Sequence, residues 1–436
     1  MCYAIPGRIV EILPKMVVVE YFGERKKAYN ELSGLNVGDY VYAQGGYVID
    51  RISEGEALAT LEVWKELFFQ LRQEDERRTK LIPDRRTREN RIYSLFEKVN
   101  HGKKLKPREL LHLLKLKDRE DLDILYSSAN FLRQKYHRNS CCVHGIIELS
   151  NRCSRNCAYC GISNHNQNLK RYKMDKSEIL AAVDQAVEKY GFKALVLQSG
   201  EGAYSVGELA EITAEIKLLH GVLVFISCGE IGAAGLQKLF DAGARGLLLR
   251  FETSNPKLYQ KLHPGYSLEN RLSELRTAYS MGYLLITGGL IGLPGQSEKD
   301  ILNDILLAGE LHSEMYSFGP FLPHCETPLA KKNPPDPELV LKTLAVARFT
   351  APEDAKILVT TGFETLHSEA RERGLMAGAN SVMLNVTPMQ YRSLYSIYPG
   401  RAHEQETIEF QIEKTIGLLR TLGRAPTDLE AVEKPS

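Results

Sequence analysis

The chain has 436 residues, room for two or three domains unless one is a large barrel, and its 43% hydrophobic and 25% charged residues exclude a wholly disordered or collagen-like protein. Lys and Arg number 56 against 55 Asp and Glu, a net charge of +1, so no whole-molecule field draws the chain to nucleic acid or to an anionic membrane. No apolar run approaches the roughly 18 residues of a membrane helix, and Met1-Cys2-Tyr3-Ala4-Ile5-Pro6-Gly7 lacks the regions of a secretion signal, so a cytoplasmic protein with no nucleic-acid or membrane partner is expected. From the front, residues 8–12, 16–21 and 39–52 alternate apolar and polar at the strand period, with turn signals at Gly34 and Gly45-Gly46, which predicts a small β-barrel. Ala57, Leu61, Trp64 and Leu67 then fall on one face of a helix over 54–73 that closes this first domain, residues 1–75. The stretch 72–108 is rich in Arg and Lys around Pro83 and Pro107 without interleaved aromatics; it predicts a solvated basic linker and a helical lead-in, residues 76–140.

Beyond residue 140, short apolar runs alternate with amphipathic stretches. The strand candidates are 143–149, 194–198, 222–227, 246–251, 284–290, 316–321, 357–361 and 381–386, with helices at 176–190, 206–219, 268–281, 298–311 and 337–349. This is the outline of an α/β fold, a (β/α)8 barrel of the TIM type over 141–436, whose chemistry sits where the strands end.

Eight Cys in so long a chain are too sparse for a disulfide scaffold, yet Cys153-Ser-Arg-Asn-Cys157-Ala-Tyr159-Cys160 crowds three into the loop after the first barrel strand. Soft thiolates select zinc or an iron–sulfur cluster. A closed zinc site needs a fourth ligand, and His165 is the nearest; three thiolates on a four-iron cluster instead leave one iron open to a substrate or cofactor.

The C-x3-C-x2-C spacing, Tyr159 before the third Cys and the barrel outline resemble the radical S-adenosylmethionine (SAM) superfamily. The resemblance implies one [4Fe-4S] cluster on Cys153, Cys157 and Cys160, with SAM chelated to the open iron. It also implies SAM contacts from Tyr159, from Gln198-Ser199-Gly200-Glu201 ending the second strand, from Glu252 after the fourth and from Arg271 on the next helix, an Arg being able to pair with a carboxylate through two hydrogen bonds. Taken alone, Ser-Gly-Glu is equally a plain turn, and Glu252 and Arg271 are ordinary surface residues. Gly288-Gly289-Leu-Ile-Gly292-Leu-Pro-Gly295-Gln296 would let backbone approach an adenine ring but lacks the G-x-G-x-x-G order of a dinucleotide turn.

From about residue 144 the chain is similar to the HydE family, maturases of [FeFe]-hydrogenase, through Glu148-Leu-Ser-Asn-Arg-Cys153, Asn168-Leu-Lys-Arg-Tyr-Lys-Met174, Leu197-Gln-Ser-Gly-Glu201, Ile291-Gly-Leu-Pro-Gly-Gln296, Gly319-Pro-Phe-Leu-Pro-His324, Thr327-Pro-Leu329 and Tyr391-Arg-Ser-Leu-Tyr-Ser-Ile-Tyr398-Pro-Gly400. Biotin synthase and the methylornithine-forming mutase share the first two of these motifs. The likeness implies 5'-deoxyadenosyl-radical chemistry on an organometallic iron–cysteine species carrying CO and cyanide, with Tyr398 at the radical face, Thr360 and Thr361 at the substrate's carboxylate, and HydG-, HydF- or Hyp-like maturation proteins as partners. Tyr398 is otherwise a packed aromatic at the barrel mouth. No Cys follows in residues 401–408, so a single cluster is expected. Two alternatives stay open: a radical SAM mutase or lyase on a small amino acid, and a non-enzymatic iron-complex carrier.

The N-terminal motif with its small barrel and closing helix resembles the HypC/HupF chaperones of [NiFe]-hydrogenase maturation, which implies an OB-like barrel. In that family Cys2, exposed by removal of Met1, and a His after Gly-Asp-Tyr-Val hold iron with CO and cyanide. Gln44 stands here where the His is expected. The domain is therefore either a carrier of an Fe(CO)(CN) species or a docking module without iron. A carrier on a flexible linker is expected to present Cys2 to the barrel mouth.

Overall fold

The computed structural model describes residues 5–81, 87 and 89–427, and Cys2 with Arg85, Arg86 and Arg88 of the basic stretch lies outside them. Its first body is a closed barrel of β1 (Gly7–Ile12), β2 (Met16–Tyr21), β3 (Glu24–Tyr29), β4 (Tyr40–Gln44) and β5 (Tyr47–Ile52), in the order β1-β2-β3-β5-β4, with β4 antiparallel to β1. Ile9, Val17, Val19, Ala28, Val41 and Val48 point inward at the strand period and fill it. Helix Glu54–Thr79 starts at Ser53, whose side chain accepts from the Glu56 N–H, and lays Phe68 and Leu71 on that core.

The second body holds β6 (Cys142–Ser150), β7 (Ala194–Ser199), β8 (Leu223–Ser227), β9 (Gly246–Leu248), β10 (Leu284–Thr287), β11 (Leu290–Ile291), β12 (Met315–Tyr316), β13 (Gly319–Pro320), β14 (Lys356–Val359) and β15 (Ser381–Asn385). All but β11 and β13 close into one eight-stranded parallel barrel; those two pair with each other. Each expected strand is present. The fourth stops early because the chain leaves the ladder before Arg250, and Glu252 takes a left-handed turn with φ 67°. The sixth splits into β12 and β13 at Ser317-Phe318.

The helical lead-in is present and packed, and the basic stretch around Pro83 lies outside the described residues. The closing helix runs on to Thr79, and helices Arg91–Asn100, Pro107–Leu114 and Arg119–His137 send Phe96, Leu113 and Leu125 into the large barrel's core. Asp75 explains the extension. Its buried carboxylate accepts from Arg133 at 2.7 and 2.9 Å and lies 2.8 Å from Arg424, so leaving the helix early would strand two buried guanidinium groups.

The small barrel is fixed against the N-terminal ends of the large barrel's strands, not tethered near its mouth. Tyr42, Tyr47 and Ile49 join Ala194, Val196, Leu223, Phe225, Ile286, Met315, Leu358 and Met383 in one apolar cluster that fills the barrel floor. At Gly45, φ 57°, a Cβ would lie 2.8 and 2.9 Å from side-chain atoms of Leu223 and Leu284, so the β4–β5 turn presses closely on the two strand starts. Tyr47 donates to the Gly282 carbonyl at 3.1 Å, and Arg245 holds Glu31 at 2.8 Å. The expectation of a loosely tethered carrier facing the mouth is thereby corrected: the first described residues belong to a domain docked at the opposite end. Among the described residues no helix is long and apolar enough to cross a membrane.

Candidate metal centre and barrel mouth

The cysteine loop leaves β6 at Ser150 and is held by side chains rather than regular structure. Arg171 donates to the carbonyls of Asn151, Ile162, Ser163 and Asn166 at 2.6 to 2.9 Å, and Asn151 donates to Lys170 and Leu394 while accepting from the Tyr172 N–H. Gly200 lies so close that a Cβ there would sit 2.1 Å from the Arg152 carbonyl and 2.7 Å from Cys153 Cβ, so only glycine lets the second strand's motif reach the loop.

Burial pushes the three thiols up, Cys160 to about 12 and Cys157 well above its usual value, with neighbouring thiols adding to the rise at both. Thiolates enclosed in this way need compensating metal charge. Three soft donors spaced along a closed loop fit an iron–sulfur cluster, whose ligating sulfurs stand wider apart than those of one ion. His165 is exposed, and among the described residues no three His, Cys, Asp or Glu side chains gather around a single ion, so a closed zinc site lacks its ligand set.

Beside the loop runs a chain of alternating charges. Arg155, from the loop itself, bonds Glu201 at 2.6 Å and Glu230 at 2.9 Å, and Arg271 bonds Glu230 at 2.6 Å and the Arg250 carbonyl at 3.0 Å. Burial opposes the charge on Arg271, but Tyr259 and Glu230 outweigh it and hold its pKa up. Glu201 also accepts from the Glu230 N–H, and the Arg155 guanidinium lies 3.4 Å over the Tyr266 ring. Arg155 Nη1 is a buried donor with no protein partner among the described residues. Glu201 and Arg271 are legible in the sequence, whereas Arg155 and Glu230 are not, because nothing local announces an ion pair 75 positions apart.

Across the mouth a second group assembles. Arg250 Nη2 is 3.1 Å from Glu252 Oε2, although the two are not aligned as a hydrogen bond. At Gly319 a Cβ would meet Thr360 Oγ1 at 2.9 Å and Arg250 Nη1 at 3.3 Å, so both polar groups pack closely beside this glycine. Thr360 caps the helix Thr361–Leu366 that Thr361 begins. Tyr398 lies over this turn, bonded to Thr365, with burial holding its phenol above the usual range. The turn after it is pinned by Arg401, which pairs with buried Glu148 at the end of β6, Glu148 also accepting from Asn385 at 3.1 Å. Tyr159 sits between the halves, its hydroxyl 3.2 Å from His263 Nε2, while His263 Nδ1 faces the Tyr259 carbonyl and therefore carries the proton. Gln198 donates to Ser227 at the base of the mouth, and Ser199 to the Gly200 carbonyl.

Residues 147–308 match the Radical SAM superfamily, residues 1–64 the HupF/HypC family and residues 317–421 the Biotin and Thiamin Synthesis associated domain. The chain is 41% identical over 321 residues to the [FeFe] hydrogenase maturase subunit HydE of Thermotoga maritima, covering 73% of this chain and 91% of that protein. It is 29% identical over 347 residues to the 3-methylornithine synthase of Methanosarcina barkeri, covering 78% and 96%. Among solved structures it is similar to methylornithine synthase (PylB), with a TM-score of 0.67 at 26% identity over 76% of this chain and 97% of that one.

Proposed function

The chain belongs to the HydE-type radical SAM enzymes and carries a HupF/HypC-type domain at its front, and on that footing we propose that it directs a 5'-deoxyadenosyl radical at an iron–cysteine species bearing CO and cyanide during hydrogenase cofactor assembly. Cys153, Cys157 and Cys160 would hold a [4Fe-4S] cluster, which when bound would supply the electron for reductive cleavage of SAM. The loop clamped by Arg171 holds the three sulfurs, and Gly200 brings the second strand's backbone and Glu201 against them. Arg155 Nη1 and Arg271 offer guanidinium donors to the SAM carboxylate; Glu252 and the Gln198-Ser199-Gly200 segment offer acceptors for its ammonium and ribose. Tyr159 closes over the loop.

The observation that carries the reading is the opposed pair of groups at one mouth: charge network and cysteine loop on one side, Arg250, Thr360 and Tyr398 on the other. The Arg250 guanidinium and the Thr360 hydroxyl, neighbours beside Gly319, suit a carboxylate, and we assign the cysteine part of the substrate to them, with Thr361 beside it. Tyr398, kept protonated, retains an intact O–H at the radical face. HydG-, HydF- or Hyp-like proteins are the expected partners. The likeness to methylornithine synthase favours a second reading, rearrangement of a small amino acid. The discriminating experiment incubates reduced, reconstituted protein with SAM and either a synthetic iron–cysteine–CO–cyanide complex or a panel of amino acids. Formation of 5'-deoxyadenosine that rises with the iron complex, and rises less in Arg250→Lys, supports the proposal; a rise with an amino acid alone overturns it.

A further inference from the structure

Three loops of the mouth meet at Gly161, the residue after the third cysteine of the loop. A Cβ there would lie 2.1 Å from the Ser396 carbonyl oxygen and 2.4 Å from a carbon of the His324 ring, so only a hydrogen fits between them. The Gly161 N–H donates to the Ile397 carbonyl at 2.8 Å, and the His324 N–H donates to the Tyr159 carbonyl at 3.0 Å. His324 itself is buried, in the turn that follows β13. Its Nδ1 accepts from the Glu326 N–H at 3.1 Å, which places the ring proton on Nε2, and Nε2 donates to Ser396 Oγ at 3.3 Å. Burial pushes its pKa down, so the imidazole keeps this neutral form. Thr327 Oγ1 donates to the His324 carbonyl at 2.6 Å and fixes the turn from below.

Ser396 and Ile397 are the two residues before Tyr398. Further back, Asn151 and Arg401 hold the carbonyls of Leu394 and Tyr395, and the Tyr398 phenol is bonded to Thr365. The last step of backbone into Tyr398 is therefore held by Gly161 and His324. A group that works beside a radical must stand at near-contact distance, where a displacement of about 1 Å is costly. On the reading that Tyr398 stands at the radical face, we infer that His324 is a positioning residue: by bridging the Tyr159 carbonyl to Ser396, it sets the Tyr398 segment at a fixed distance from the cysteine loop. The loop beside which the radical arises and the phenol next to it are thereby one piece.

The test uses the full chain with its cluster reconstituted. His324→Phe keeps a ring against Gly161 and loses the bond to Ser396, whereas His324→Gln restores an N–H donor near the Nε2 position. Ser396→Ala breaks the same bond from the other side and leaves the packing at Gly161 intact. Hydrogen–deuterium exchange is read by mass spectrometry on peptides spanning 394–400. Exchange there should rise about fivefold in His324→Phe and Ser396→Ala, the factor for one lost neutral hydrogen bond, and return towards wild type in His324→Gln. Iron content and SAM affinity should stay at wild-type levels in all three. With SAM and the iron–cysteine complex, the two defective variants should release more 5'-deoxyadenosine per product formed, by a similar factor, because the radical arises normally beside a displaced partner. Wild-type exchange in Ser396→Ala, or equal defects in His324→Phe and His324→Gln, overturns the proposal. Faster exchange with an unchanged ratio of 5'-deoxyadenosine to product reduces His324 to a structural tie and overturns it as well. The exchange readout needs no substrate and fails only with His324, whereas wild-type protein unmoved by the iron complex fails the functional reading instead.

Discussion

At the N-terminal end of the eight-stranded barrel, Val196, Phe225, Ile286 and Met383 meet Tyr42, Tyr47 and Ile49 of the small barrel in a continuous apolar floor. At the C-terminal end of the same strands, Glu148, Arg250, Glu252, Arg155, Glu201, Glu230 and Arg271 crowd into a space walled by loops. The floor uses shape and tolerates little change of volume; the mouth uses paired charges, most of them joining segments far apart in the chain. Fold stability and chemistry are thus separated along one axis, the division that parallel barrels favour. The joined domain adds to the stable end.

That division can be broken experimentally, and the largest effect should come from the mouth. Replacing Cys153, Cys157 and Cys160 by Ala should reduce bound iron from about four per chain to near zero and abolish SAM cleavage, while the unfolding of the docked domains changes far less. Iron assay and product chromatography check this, and retained iron would place the metal elsewhere. Next in size is Asp75→Ala beside the floor, which leaves Arg133 and Arg424 buried without their carboxylate; about 3–5 kcal/mol should be lost in denaturant unfolding. Equal loss from a surface variant such as Glu66→Ala would show that the site is not enclosed.

A smaller effect depends on pH. Burial pushes His263 down to about 3 from its ordinary 6.5, so the folded imidazole stays neutral while the unfolded one takes a proton. The folded pKa lies below the unfolded value, so the contribution is present above the unfolded pKa and is lost as pH falls below it, at about 1.4 kcal/mol per pH unit. His263→Gln, neutral in both states, should flatten the stability curve between about pH 6.5 and 4 by that slope; an unchanged curve would refute the enclosure of this side chain. Smallest is Gly45→Ala, where a left-handed φ and the two leucines at the floor should cost about 1 kcal/mol in unfolding without altering SAM cleavage per folded molecule.

Much of this was readable from residue pattern. The eight barrel strands are short, buried and evenly spaced, and the cysteine loop is local, so both announce themselves. The missed elements have identifiable causes. In β3 the inward positions are Lys26 and Ala28 between charged neighbours, and a buried lysine erases the alternation that marks a strand. Helix Gly232–Asp241 carries glycines at its first and fourth positions, which depress its intrinsic propensity. The docking of the small barrel was hidden because β4 is buried on both faces: Val41 and Ala43 serve its own core while Tyr42 and Gln44 serve the neighbour's floor. Of the mouth, the strand-end residues were accessible to sequence, whereas Arg155, Glu230 and the Glu148–Arg401 pair arise from contacts between distant segments that only the closed barrel creates.

A barrel filled at its floor is a cul-de-sac. With Tyr42, Tyr47 and Ile49 occupying the lower end, anything that works inside must enter and depart past the loops that carry Cys153 and Tyr398. Two ligands sharing such a passage form a queue: the one seated deeper loads first and is released last, and the outer one acts as its stopper. Order of addition, usually a property ascribed to the ligands, becomes here a consequence of which end of the cylinder the second domain has closed.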